Sequence, residues 1–205
     1  MTRCLAGLLL AALATAIAPR PSLAQHDGAA DPSEKRTPAF HRGGERTQSI
    51  DFLFGALKAA PDDTSAKAVE DRIWAMWTMA GNDTTSLLMS RAKKATDDDD
   101  YNLALRLLDA IIEIKPDYTE AWNRRATVYF LKKDYGNSLA DLSKVLTREP
   151  RHFGALSGLG LIMQEIGDDK RALDAYRKAL DVYPRLKGVS EKVKTLTEKV
   201  EGRDI

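Results

Sequence analysis

Apolar side chains recur every three or four residues from Gln48 to the end of the chain, the spacing of a helix with one buried face. Ile50, Leu53, Phe54 and Leu57 make the first such stripe. Pro61, Asp62, Asp63 and Thr64 break it. Val69, Ile73, Met76, Trp77 and Ala80 make the second. Asp63 or Thr64 is expected to cap the second helix, because a short oxygen side chain satisfies an unpaired amide at a helix start. Gly81 is expected to close that helix, and Asp83 to open the next. Trp74 and Trp77 are expected in a helix interface, where large aromatics ordinarily sit.

Beyond Thr85 the pattern repeats. Pro116, Pro150 and Pro184 fall at intervals of 34 residues. At that stride Leu88, Trp122 and Leu156 share one position, and Ala92, Ala126 and Gly160 another. Ala95, Tyr129 and Met163 follow, then Tyr101, Tyr135 and Asp169 after a turn. Ala104, Ser138 and Ala172 form a second small set, followed by Leu108, Leu142 and Tyr176, and by Ile111, Val145 and Ala179. A fixed period of this length marks a stack of identical units, none of which can bury its apolar face alone. Small residues let paired helices approach, large ones fill the gap to neighbours, and each proline ends a helix by breaking its hydrogen-bond ladder. Gly158 and Gly160 each cost about 1 kcal/mol of helix propensity. Close packing offsets that at Gly160, whereas the core offers no reason for Gly158.

Trp122, Ala126, Tyr129, Ser138, Leu142, Val145 and Pro150 resemble the motif of the tetratricopeptide repeats, and Leu156, Gly160, Ala172, Tyr176, Ala179 and Pro184 repeat it. The resemblance implies an all-α fold: a right-handed superhelical solenoid of antiparallel helix pairs. It places repeats at residues 85–118, 119–152 and 153–186. Residues 47–84 form an N-terminal helical pair, a degenerate repeat or cap, since Pro61 cannot sit mid-helix where strict register puts it. Leu186, Val189, Val193, Leu196 and Val200 then form one stripe, so residues 187–205 are expected to be a capping helix. A coiled coil is the rival use of that stripe.

The start of the chain changes the setting. Residues 1–24 hold a basic Arg3, an apolar run from Leu5 to Ala18 and Ser22-Leu23-Ala24, the layout of a secretory signal peptide. A membrane anchor is the competing reading, but Pro19, Arg20 and Pro21 interrupt the run. Cleavage would remove Cys4, the single cysteine, and leave no thiol chemistry. Residues 25–46, rich in Gly, Pro and charge, read as a disordered linker. The expected localisation is therefore periplasmic. The pattern, "RIWAMW" and "RHFGALSGLG" included, is similar to small periplasmic repeat proteins linked to cell-envelope integrity. That resemblance implies a protein or peptide partner of the envelope or secretion machinery, with no stable membrane insertion after cleavage. A formal net charge of +1 gives no drive toward nucleic acid.

Candidate chemistry is sparse. The four aspartates Asp97 to Asp100 lack the central Gly and closing Glu of a calcium loop. At a turn before a helix they are expected to cap it. His26 and His41 are isolated, and His152 falls in a turn with no nucleophile to serve. There is no phosphate loop, nucleophile elbow or zinc-ligand spacing. No cofactor, metal or catalytic residue is expected, and the protein reads as a non-catalytic scaffold. In the family the first helix of each pair lines a concave groove. Its positions map onto Met89, Lys93, Asn123, Thr127, Gly154, Ser157, Gly158 and Leu161, with Arg124 beside them. Lys93 and Arg124 would favour an acidic partner. Gly154, Ser157 and Gly158 would let a partner backbone come near, or else mark a tolerant surface. Some relatives clamp a peptide's terminal carboxylate with Lys and Asn. Gly154 and Gly158 stand where that clamp wants cations, so it is not expected here. The alternative function is a structural protein that self-assembles through the C-terminal amphipathic helix.

Overall fold

Stacked helix pairs need a tight reversal inside each pair and a small residue where the pair crosses, and both recur at the stride of the sequence. The computed structural model of the chain describes residues 42–79 and 81–202. The expected signal peptide, and the expected linker as far as residue 41, lie outside them. The helices are α1 (Arg42–Lys58), α2 (Asp63–Thr78), α3 (Asp83–Asp97), α4 (Tyr101–Ile114), α5 (Thr119–Leu131), α6 (Tyr135–Arg148), α7 (Phe153–Glu165), α8 (Asp169–Val182) and α9 (Val189–Val200). Among the described residues every element is a helix, and none is long and apolar enough to cross a membrane. α1 starts at Arg42, inside the stretch read as linker.

The pairs α3–α4, α5–α6 and α7–α8 correspond to the three expected repeats and pack as successive helix hairpins. Each internal turn uses the same two devices. Asp99, Lys133 and Gly167 hold φ of 59°, 60° and 81° at equivalent positions. Only Gly takes that left-handed backbone without steric cost. The next residue in each, Asp100, Asp134 or Asp168, caps the following helix by accepting the backbone N–H of Leu103, Asn137 or Arg171. The capping role expected for the aspartate run thus belongs to Asp100. Asp97 and Asp98 instead pair with Lys93 and Lys94 one turn back.

The small positions are closed. Ala104, Ser138 and Ala172 are all buried, and the Ser138 hydroxyl donates to the Ala126 carbonyl at 2.7 Å. At Gly160 a Cβ would lie 2.5 Å from Cε1 of Tyr176, so glycine is what lets α7 meet α8. After the last repeat, Val189 and Leu196 of α9 bury against the α7–α8 core around Met163 and Tyr176. The C-terminal stripe is therefore a cap, consumed by the chain's own core.

The expected N-terminal helical pair is present as α1 and α2. It does not continue the stack in front of α3. It folds back, and α2 lies across the edge where the repeats begin, touching α5, α7 and the segment after α8. Tyr118, His152 and Leu186 occupy one repeat position, and α2 runs past all three. The Tyr118 hydroxyl donates to the Thr78 carbonyl at 2.9 Å. Trp77 stacks on His152 with centroids 4.1 Å apart. Tyr183 reaches Glu70 at 3.4 Å, and Arg185 bonds to the Ala60 and Pro61 carbonyls and to Asp63. A helix of 16 residues is about 24 Å long, enough to span three repeat edges. Leu53, Phe54, Leu57, Ala66, Ile73 and Trp77 bury there against Phe153 and Tyr183. Arg151 adds a bond to Asp51 at 2.6 Å and lies over the Phe54 ring.

The caps of this pair differ from those expected. Asp62 accepts from Ser65 N–H and so caps α2, with Asp63 inside the first turn. α2 closes at Met79, before Gly81. Asn82 opens α3 through a reciprocal pair of bonds with Thr85, at 2.9 and 2.8 Å. At both helix starts a residue earlier than expected takes the cap, because the cap must precede the first amide it serves.

Candidate binding cleft

The first helices α5 and α7 stand side by side, with α6 behind them. Where they diverge they leave a cleft of about 190 Å3. Asn123 and Thr127 from α5, and Gly154, Ser157, Gly158 and Leu161 from α7, all line it. These are six of the expected groove residues. Sequence reasoning missed its floor: Ala126, Phe130, Ser138, Leu142 and Ile162. Phe130 is half-buried, while Leu142 and Ile162 are core residues, which gives the cleft an apolar base under a polar rim.

The rim is pre-ordered. Ser157 donates to the Phe153 carbonyl at 2.8 Å and Thr127 to the Asn123 carbonyl at 3.1 Å. Both hydroxyls satisfy helix carbonyls one turn back and still offer lone pairs to the cleft. A Cβ at Gly158 would meet Leu142 at 3.7 Å, an ordinary contact. Gly158 is therefore not required by close packing in the chain. Its missing side chain adds width to the cleft.

Three expected residues stand elsewhere or are already engaged. Met89 is half-buried on α3 against the α3–α4 core. Lys93 is exposed and paired with Asp97 at 2.5 Å. Arg124 donates through Nε to Oε1 of Glu120 at 2.6 Å. The cationic bias expected from Lys93 and Arg124 is thus neutralised by neighbours on their own helices. Gly154 has a different partner from the one expected. A Cβ there would lie 3.1 Å from the Trp74 ring, so its smallness admits the chain's own indole. α2 closes this end of the groove, so Gly154 stands at the cleft's end, beside Trp74.

Under α2 lies a polar cluster that the sequence did not reveal. Glu120 is fully buried, and its carboxylate accepts from Arg124 and, at 3.1 Å, from Asn123 Nδ2. His152 is fully buried too, and its Nδ1 accepts the Ala155 N–H at 3.0 Å, capping α7. The neutral ring then carries its proton on Nε2, which has no hydrogen-bond partner and lies 3.5 Å from Oε2 of Glu120. Burial pushes the Tyr118 phenol up, and the Glu120 charge adds to that. Through these contacts, and through the Tyr118 bond and Trp77 stacking to α2, the cluster ties α2, α5 and α7 together at the edge of the stack. The only sequence signal was the position of His152, one stride after Tyr118.

Comparison with known proteins agrees with this architecture. The tetratricopeptide repeat family pattern matches residues 119–152. A TPR repeat-containing protein of Rhizobium etli is 42% identical over 131 residues, covering 64% of this chain and 64% of that protein. The small glutamine-rich tetratricopeptide repeat-containing protein 2 of Saccharomyces cerevisiae is 28% identical over 91 residues, 44% of this chain and 26% of its own length. Among solved structures, the first TPR of Spaghetti (RPAP3) bound to the HSP90 peptide SRMEEVD superposes with a TM-score of 0.56. It is 15% identical and covers 59% of this chain and 96% of its own. MamA superposes with a TM-score of 0.55 at 18% identity, covering 79% and 82%. At these identities the structural likeness is one of fold.

Proposed function

We propose that the chain is a non-catalytic tetratricopeptide-repeat scaffold that docks a peptide or helix of a partner protein in the α5–α7 cleft. Such repeats generally mediate protein–protein interaction, and one structural neighbour holds a peptide. The observation that carries the reading is the state of Gly158. It lines an apolar cleft, no neighbour demands its lack of a side chain, and it costs the helix about 1 kcal/mol. An approaching backbone or helix gives that cost a use. The export layout of residues 1–24 supports a periplasmic setting and a partner of the envelope or secretion machinery.

The self-assembly alternative loses its surface, because Val189 and Leu196 are buried in the chain's own core. The test is a photo-crosslinker at Ser157 in intact cells. It is expected to capture a discrete partner, and Gly158→Trp, which fills the cleft, is expected to abolish that capture. Capture unchanged by Gly158→Trp would overturn the proposal. A partner found only in the cytoplasm would overturn the periplasmic setting while leaving the cleft intact.

A further inference from the structure

Among the described residues two junctions between repeats are equivalent, and the first is filled while the second is not. At the first, Trp122 packs against the core around Leu142 and Val145, and its indole N–H donates to the Pro116 carbonyl at 2.9 Å. Arg125 lies 4.9 Å from the Trp122 ring centroid and bridges Asp141 at 2.8 Å and Asp109 at 2.6 Å. At the second junction, one stride on, Pro150 keeps the place of Pro116. Leu156 replaces Trp122, Leu159 replaces Arg125, Ser143 replaces Asp109 and Ala175 replaces Asp141. Two bulky side chains and both their acids are exchanged for smaller groups. Where they would stand there is a cleft of about 550 Å3, lined by Pro150, Leu156, Leu159 and Ala175. It adjoins a second hollow of about 360 Å3 that shares Leu159 and includes Ser143. These volumes fall in the range of binding clefts, roughly 300–1,000 Å3.

We propose that this junction is a second docking surface, which takes a tryptophan side chain from an acidic segment of a partner protein. Trp122 is the template for the occupant: at the equivalent place this fold already seats an indole, with a proline carbonyl to receive its N–H. Charge fixes the flanks. Arg171 and Lys178 stand on the rim with a single acid, Asp174. Arg171 is paired with Asp168, whereas Lys178 makes no ion pair among the described residues. A carboxylate beside the incoming indole would complement Lys178, and the ring would lie within reach of both cations, as Trp122 does beneath Arg125 and Arg148. The larger cleft is distinct from the α5–α7 cleft, since it is formed by α6, α7 and α8 and shares no lining residue with it; the adjoining hollow meets that cleft only at Leu142.

The test is titration of the full chain with a synthetic acidic heptapeptide carrying one central tryptophan, followed by amide chemical shifts. Shifts are expected at Leu159, Met163 and Ala175, with Ser157 and Gly158 unmoved. Leu156→Trp, which rebuilds the filled junction, is expected to weaken binding at least tenfold. Lys178→Glu, an exposed change with no packing role, is expected to weaken it severalfold, as is alanine for the peptide's tryptophan. Binding unchanged in Leu156→Trp and Lys178→Glu would overturn the proposal, as would no shifts at millimolar peptide. Shifts confined to Ser157 and Gly158 would overturn it too, and would instead support the cleft reading.

Discussion

Gly158→Ala and Gly160→Ala add the same methyl group to the same helix two residues apart, yet the structure predicts different stabilities for them. The gain in helix propensity, about 1 kcal/mol, is common to both and cancels in their difference. At Gly160 the new carbon would lie 2.5, 2.7 and 2.8 Å from three ring atoms of Tyr176. Carbon atoms prefer about 3.5–4.0 Å, so the ring must move by roughly 1 Å. It has little room to do so: Tyr176 is fully buried, and its hydroxyl donates to Gln164 Oε1 at 2.7 Å. Overpacking of this kind costs about 1–3 kcal/mol. At Gly158 the closest atoms, both of Leu142, are 3.7 and 3.8 Å away. Nothing needs to shift there, and the propensity gain of about 1 kcal/mol should appear nearly whole. Urea unfolding followed by circular dichroism should place Gly158→Ala above the parent. Gly160→Ala should fall below Gly158→Ala by about 1–3 kcal/mol. Equal stability of the two variants, or a more stable Gly160→Ala, would refute the claim that glycine sets the α7–α8 approach.

Two further outcomes follow from other parts of the fold. Trp77→Ala removes the ring that covers His152 and fills the interface of α2 with the repeats. It should cost about 3–5 kcal/mol and speed amide exchange in α2 far more than in α5. Burial pushes the Tyr176 phenol up to about 12, and those of Tyr118 and Tyr183 are raised as well. A phenol that holds its proton more tightly when folded stabilises fully below its unfolded pKa. That contribution is lost as pH rises from about 10 toward 12. Urea midpoints should therefore fall between pH 9 and pH 11.5, and by less in Tyr176→Phe.

The stride of 34 residues, the small positions at Ala126, Gly160 and Ser138, and the terminating prolines were all legible along the chain. Each states how much room a residue has against its own helical neighbours, and periodicity records that directly. It therefore determined the helix pairs, the stacked repeats and the C-terminal cap. Six of the nine residues named from the sequence share one cleft, because position within a repeat fixes the face of the helix. The tertiary structure decided what lies on those faces. The stripe Val69, Ile73, Met76 and Trp77 announced that α2 must be covered, but not by what. The covering residues, Phe153, Tyr183 and Arg185, are some 75 to 125 positions away. An apolar stripe encodes burial and is indifferent to its partner. The choice of surface, the closing of the groove at Gly154 and the engagement of Arg124 by Glu120 arise only when distant parts of the chain compete for the same space.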